Sequence, residues 1–373
     1  MNKTYITGSA VMSALGINKQ DSLARMKEIN HTNYALYRKN VYGDISFYAI
    51  PDSEDKKKRF FTILKTVIFD ALVDAKIDPA EYKNIPVFIG STAMNISVSE
   101  QHWKEEGCFQ HLGSGAISRY IDTLLESETP VTIFSTACTS STNAMIFASN
   151  EIKAGHFKKA LVIGMEFFND ATFEGFKSLM LLSESGIYRP LSSMSDGIVL
   201  GEGCSAVVLS AEPKENDDFM ILGSKDIFDN YSETSSNPNG KVIYESMASA
   251  LHLSALSVED LSLINIHSPG TELSNEAERN ALLRLLKEKE TAVTLCSMKP
   301  YIGHTLGACS LNELVLLISA IKKGFIPQTL GIDDTQVFNY SNFQEIQNNE
   351  ASILFTYNGF SGNNFSFILS NQG

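Results

Sequence analysis

The chain has 373 residues, more than one small core needs, and its 43% hydrophobic and 20% charged content is ordinary for a globular protein of one large or two fused domains. A formal charge of −13 argues against nucleic acid as a partner, because phosphate binding needs a concentrated basic face. No stretch reaches the roughly 20 apolar residues that cross a bilayer, and Met1-Asn2-Lys3 runs into Tyr5-Ile6 without a leader's apolar core, so a cytoplasmic protein with no membrane span is expected.

Short β-branched runs at residues 4–8, 86–90, 131–134, 161–164, 206–209, 263–267, 293–296 and 353–355 read as strands. Amphipathic segments at 60–75, 142–154, 276–288 and 311–323 are of helix length and separate several of them, which predicts a layered α/β architecture with buried sheets. Residues 351–357 and 365–369 flank a Gly-rich turn and predict an antiparallel pair, hence a mixed sheet. The polar stretch 211–218 is the candidate boundary between two domains, residues 1–212 and 213–373. Residues 230–240 read as a long flexible loop.

One internal repeat stands out. The run from Val131 to Ser135 enters a turn containing Cys138 and then a helix ending near Gly155, and the run from Val293 to Ser297 enters a turn containing His304 and then a helix ending near Gly324. The second copy is longer by about seven residues, mostly in the turn. Strand–turn–helix units are common enough to resemble one another by chance. If instead the halves are built alike and pack about a pseudo-twofold axis, the two corners face each other.

The cysteines Cys108, Cys138, Cys204, Cys296 and Cys309 are odd in number and scattered, with no C-x-x-C pair, which argues against a disulfide framework or a zinc site; no metal is expected. Each is a core filler or a nucleophile. Cys138 lies between an apolar strand and a helix, where the helix dipole favours thiolate over thiol. His267 ends an apolar strand, and His304 sits beside glycine at another strand-to-helix passage. Singly, each histidine reads as a structural one. Together with Cys138 they suit acyl transfer followed by carbanion chemistry. The cysteine holds an acyl group as a thioester, and neutral imidazole N–H groups stabilise the enolate left when a carboxylated extender loses carbon dioxide. Backbone N–H groups at Cys138 and in the Gly359-Phe360 turn fit an oxyanion hole. The basic run Lys56-Lys57-Lys58-Arg59 is either a solvated helix start or a docking patch for an acidic partner.

The motifs T-A-C-T-S-S around Cys138, H-S-P-G-T from His267, K-P-Y-I-G-H-T-L-G-A from Lys299 and N-G-F-S-G-N-N around Phe360 follow one another along nearly the whole chain. In that order and spacing, with Arg189-Pro190 and the segment from Asp196 to Gly203, they resemble the β-ketoacyl-acyl-carrier-protein synthases of the thiolase-like superfamily, especially the elongating type II enzymes. The resemblance implies an α/β thiolase-like fold, two similar mixed-sheet halves related by a pseudo-twofold in a five-layered αβαβα arrangement. It implies that Cys138 accepts the acyl group, that His267 and His304 promote decarboxylation and condensation, and that Lys299 and Glu278 form a supporting charged pair. Phe360 would be the gate beside Gly359, Phe176 would line the malonyl side of the pocket, and Thr271 would contact the pantetheine arm. Lys57, Lys58 and Arg59 would dock an acyl carrier protein, whose own 4'-phosphopantetheine arm carries the substrates, so no resident cofactor is expected.

Where that family reads H-G-T-x-T this chain has His267-Ser268-Pro269-Gly270-Thr271, and where it reads G-F-G-G this chain has Gly359-Phe360-Ser361-Gly362. Asn275 stands for an expected aspartate and Met180 for an expected arginine. These departures point to a specialised fatty-acid or polyketide-like pathway, such as polyene synthesis. A dimer is expected, either of two copies or with a related ketosynthase or chain-length factor. The competing readings are a non-catalytic chain-length-factor-type subunit, which usually lacks the nucleophile, and a degradative thiolase, which uses a second cysteine as base.

Overall fold

The structure is a computed structural model that describes residues 3–34, 39–42, 45–51, 56–107, 113–287, 293–332 and 337–372. Met1, Asn2, Cys108 and the expected helix end at Glu288 lie outside the described residues, as do the side chains of Lys56 and Lys57. The first half runs β1 (Tyr5–Ser13), α1 (Lys19–Glu28), β2 (Lys39–Tyr42), β3 (Ile45–Phe47), α2 (Lys56–Asp74), β4 (Val87–Gly90), α3 (Ile96–Glu106), α4 (Gly113–Leu125), β5 (Val131–Phe134), α5 (Ser140–Lys153), β6 (Lys159–Glu166), α6 (Asp170–Ser178) and β7 (Gly203–Ser210). The second runs β8 (Met220–Phe228), α7 (Lys241–Leu253), β9 (Leu263–Asn265), α8 (Glu272–Lys287), β10 (Thr294–Cys296), α9 (Lys299–Ile302), α10 (Cys309–Lys322), β11 (Phe325–Ile326), β12 (Asn339–Tyr340), β13 (Gln344–Glu345), β14 (Ser352–Asn358) and β15 (Asn363–Ser370).

The main sheet has 11 strands in the order β12-β10-β9-β14-β15-β8-β1-β7-β6-β4-β5. Read from each outer side inward, β5-β4-β6-β7-β1 and β10-β9-β14-β15-β8 place the third, second, fourth, fifth and first strand of each half in the same succession, with β12 added at one edge. The repeat seen in the sequence is therefore a repeat of topology. The halves meet at a seam where Tyr5 pairs with Met220 and Ile6 N–H donates to the Phe219 carbonyl at 2.8 Å, so the two mixed sheets run on as one. The expected antiparallel pair is present as β14 and β15. Strand β8 was not expected, because its Ser224-Lys225-Asp226 stretch breaks the apolar alternation.

Alternation along the strands builds the layers. Leu161, Ile163, Ala206 and Val208 turn outward onto a core formed with α2 and α4, whereas Val162 and Val207 turn inward. In the other half Ile264, Leu354 and Ile368 face α7 and α8, and Leu263, Ile353, Phe355 and Phe367 face inward. Helices α5 and α10 fill the space between the inner faces. A helix covered on both sides must be apolar around its circumference, and from Cys309 to Ile318 every residue of α10 is buried. At the start of these helices Ser141 and Ser310, the second residue of each, meet Oγ to Oγ at 2.7 Å. Equivalent residues in contact are what an approximate twofold between halves requires.

Residues 230–240, expected to be a flexible loop, are irregular but anchored. The Asp229 carboxylate accepts N–H groups from Tyr231 and Asn237 at 3.1 and 3.3 Å, and the Glu233 carbonyl accepts the Ser361 N–H at 2.7 Å. Their role is to hold the turn between β14 and β15, which supplies hydrogen bonds that polarity alone did not foretell.

Candidate active site

Every chemically distinctive side chain lies beyond the carboxyl end of a strand that runs parallel to its neighbour: Cys138 after β5, His267 after β9, His304 after β10 and Phe360 after β14. Crevices beyond such strand ends are where open α/β sheets bind ligands. The turns there are tight, and non-glycine residues adopt positive φ at Ala137 (50°), Ser268 (36°), Leu306 (43°) and Ser361 (60°). Backbone strain gathered at one place marks a functional site.

Cys138 Sγ lies 3.2 Å from His304 Nε2. One ligand-type atom from each of Cys138, His267 and His304 falls within 4.8 Å of the others, and the two imidazoles meet edge to face with ring centroids 5.2 Å apart. All three residues are buried. Two imidazoles and a thiol are also metal-ligand chemistry, but the Lys299 ammonium beside them opposes a cation: it pushes both histidines and the cysteine toward their deprotonated forms.

Burial, and after it Lys299, holds His267 and His304 well below the usual imidazole range, so both rings are neutral at pH 7. Among the described residues no side chain hydrogen-bonds to the Nδ1 of His304 or to either ring nitrogen of His267, whose charged form only the Asn358 main chain favours. These are donors and acceptors left over for a ligand. For Cys138 the expectation of a favoured thiolate is corrected. Burial pushes its thiol up to about 11, and the opposing pull of Lys299 and of the Phe360 N–H does not overcome it. The helix start sets the direction of the thiol, and desolvation sets its resting protonation. The Phe360 and Cys138 N–H groups both favour a charged sulfur, and two backbone donors at one corner are what an oxyanion hole needs. Gly359 is at its closest approach to this corner, since a Cβ there would lie 3.4 Å from the Cys138 nitrogen.

Lys299 does not pair with Glu278. Its Nζ lies 2.6 Å from Glu313 Oε1, both side chains fully buried, in an ion pair whose angle falls outside hydrogen-bond geometry. Burial is the largest single influence and opposes the charge on Lys299, but Glu313, Cys309 and Glu278 together outweigh it and the ammonium is held above its usual range. Glu278 instead accepts the N–H groups of His267 at 2.7 Å and Ser268 at 2.5 Å, and burial raises its carboxyl to about 7. Glu313 was missed in the sequence, although a lone carboxylate inside the apolar run of α10 is a signal of its kind. Glu166 was missed too. Buried at the end of β6, it accepts N–H groups from Thr92, Ala93 and Gly307 at 2.9, 2.7 and 2.9 Å, and so ties the loop after His304 to the loop after β4.

Phe176 and Phe360 stack with centroids 5.7 Å apart, so the expected gate and pocket residues touch. Thr271 is half-buried immediately before α8, on the same turn as His267. Met180 is 90% exposed. Of the basic run, Lys58 is exposed, but Arg59 is committed inward: it forks onto the buried Glu202 carboxylate and lies over the Phe167 ring. An arginine with a buried carboxylate beneath it is a strut between α2 and the residue that leads into β7 and is not available as a docking charge.

Family models match two successive stretches: "Beta-ketoacyl synthase, N-terminal domain" over residues 11–215 and "Beta-ketoacyl synthase, C-terminal domain" over residues 219–333. Among curated relatives, a putative mitochondrial 3-oxoacyl-[acyl-carrier-protein] synthase of Schizosaccharomyces pombe is 34% identical over 54% of this chain, and the match spans 51% of that protein's length. The ketoacyl synthase alpha subunit of the tetracenomycin polyketide synthase of Streptomyces glaucescens is 27% identical, over 80% of this chain and 78% of its own. Among solved structures, a ketosynthase in complex with its chain length factor from Xenorhabdus doucetiae superposes with a TM-score of 0.81 at 22% identity, covering 99% of this chain and 98% of that one.

Proposed function

The chain belongs to the β-ketoacyl synthase family, and from that premise we propose that it is a catalytic ketosynthase joining a Cys138-bound acyl group to a malonyl-type extender on an acyl carrier protein. The observation that carries this reading is the meeting of Cys138, His267 and His304 within 4.8 Å with both imidazoles neutral. In acylation the Cys138 sulfur attacks the carrier thioester, and its proton passes through His304 Nε2 at 3.2 Å to the departing pantetheine thiol. The Cys138 and Phe360 N–H groups hold the oxyanion. In the second step the extender's bond to its carboxylate breaks, carbon dioxide leaves, and the electron pair becomes an enolate stabilised by imidazole N–H groups. Its carbon attacks the acyl carbonyl; the Cys138 thiolate departs and takes up one proton from water. A neutral imidazole is the right donor here, because an imidazolium would protonate the carbanion.

A specialised fatty-acid or polyketide-like pathway fits the departures from the family at Pro269 in the turn after His267, at Ser361 in the gate turn, and at Met180, where an arginine was expected. A cytoplasmic setting suits a chain in which, among the described residues, no helix is long and apolar enough to cross a membrane. The carrier protein would approach Lys58. A second ketosynthase-type subunit, a copy or a chain-length-factor relative, would cover the edge strand β5. Its residues are all half-buried, and its Phe134 lies 5.4 Å from the 43% exposed ring of Phe147. In a heterodimer of that kind this chain would be the catalytic member, since it keeps the thiol and both imidazoles.

The test is mass analysis of the protein after incubation with acyl-carrier protein. Acyl mass on Cys138 is expected, and Cys138→Ala abolishes it together with condensation. His304→Ala should collapse extender decarboxylation while some self-acylation persists. Product formation by Cys138→Ala at the unmodified protein's rate would overturn the mechanism.

A further inference from the structure

Among the described residues no side chain hydrogen-bonds to the His267 ring, so its direction depends on the main chain at Asn358, on the rings of Tyr357 and His304, with centroids 5.8 and 5.2 Å away, and on the main chain beneath it. That main chain turns at Ser268, a fully buried residue at φ 36°. A left-handed backbone is where glycine is at ease and a residue with a Cβ is strained by roughly 1–2 kcal/mol. A serine there must be held, and each of its polar groups is. The N–H donates to Glu278 Oε2 at 2.5 Å, and the carbonyl accepts the hydroxyl of Tyr188, itself buried. The Ser268 hydroxyl accepts the Leu191 N–H at 2.8 Å and donates to Asn275 Oδ1 at 3.3 Å. Leu191 has φ 52°, and its carbonyl accepts from Arg279 of α8. The hydroxyl thus joins the 188–191 segment to α8 across the base of the His267 turn.

We propose that Ser268 is a positioning residue for His267: its side-chain hydroxyl clamps the Leu191 segment and α8 to the turn, and that clamp, more than the backbone shape alone, fixes the imidazole for the decarboxylation step. A glycine would relieve the strain and lose the clamp; an alanine would keep the strain and lose the clamp.

This inference rests on the ketosynthase reading, and the two fail differently. In the full-length protein, Ser268→Ala and Ser268→Gly should each lower extender decarboxylation and condensation by about tenfold in kcat, the size of effect expected of a group that orients but does not touch substrate. KM for the extender and acyl loading on Cys138 should stay within about twofold, and Ser268→Thr should restore part of the loss by supplying a hydroxyl. Wild-type decarboxylation by Ser268→Gly would show that only backbone shape matters and overturn the proposal. So would acylation falling in step with decarboxylation. Should the unmodified protein load no acyl group, the ketosynthase reading fails, and the clamp is judged by hydrogen exchange. The Leu191 amide should be protected in the unmodified chain and lose that protection in Ser268→Ala, and unchanged exchange would refute the clamp.

Discussion

Between Phe134 and Ser140 the chain passes from β5 to α5 in a short corner that carries no charged residue, whereas the equivalent passage from Cys296 to Cys309 is long enough to hold α9 and a second tight turn at 306–308. Both end at the start of a central helix, and those helices touch through Ser141 and Ser310. The difference between them is the chemistry they serve. A nucleophile needs direction and N–H groups, which a helix start supplies at once. Imidazoles that must stay neutral need a fixed positive charge nearby, and a lysine can be buried only with a carboxylate to match it. The longer corner therefore carries Lys299, and α10 carries Glu313. One corner is light enough to alter with little structural consequence, while the other is part of what holds the fold.

Three experiments press on that contrast. The largest effect is expected at the ion pair. Lys299→Met leaves the Glu313 carboxylate buried without its partner and should lower unfolding free energy by about 3–5 kcal/mol in a denaturant titration, whereas Lys299→Met with Glu313→Gln should recover much of it. Cys138→Ala in the other corner should change stability far less, and an equal loss there would remove the distinction.

Next is Glu278, whose carboxyl sits at about 7 against an ordinary 4.5. Between those values the folded protein holds a proton that the unfolded chain has released. The stability from this group is therefore complete below the lower value and is lost as pH rises through the upper one. The expected decline is up to ~3 kcal/mol. Glu278→Gln, which has no proton to lose, should flatten the pH dependence of the melting temperature across that window. A variant profile parallel to the parent would place the titration elsewhere.

The smallest effect is expected in the gate turn facing Cys138. Ser361, at φ 60° and ψ 23°, occupies the left-handed region, so Ser361→Gly removes local strain at the expense of added freedom in the unfolded chain. Stability should move by less than ~1 kcal/mol, while rapid-mixing acylation of Cys138 quickens as the Phe360 turn loosens from Phe176. Slower acylation would mean that the serine holds the open gate.

Much of the design was legible in the sequence. Apolar period and turn residues revealed most strands of the main sheet, since a buried strand needs little else, and the two strand–turn–helix segments declared the duplication that the strand order repeats. Cys138, His267 and His304 were readable because each lies in a turn between an apolar strand and a helix, His304 beside a glycine, which is where a chain can present a side chain to a crevice. Arg59 reads as a surface charge because nothing nearby in the chain announces Glu202, which folding brings beneath it from 143 residues away. The family resemblance assigns Lys299 to Glu278, yet it is Glu313, one turn into α10, that the long corner delivers to it. The thiol's protonation could not be read from a helix start either, because desolvation depends on everything packed around the sulfur. What the sequence determined by itself was local: which segments are strands and helices, where the chain turns, and which reactive groups sit at those turns. Which charge meets which, and which proton is held, was decided only by tertiary structure, because Coulomb attraction and burial act through distance in space, and that distance exists only once the two halves have closed on each other.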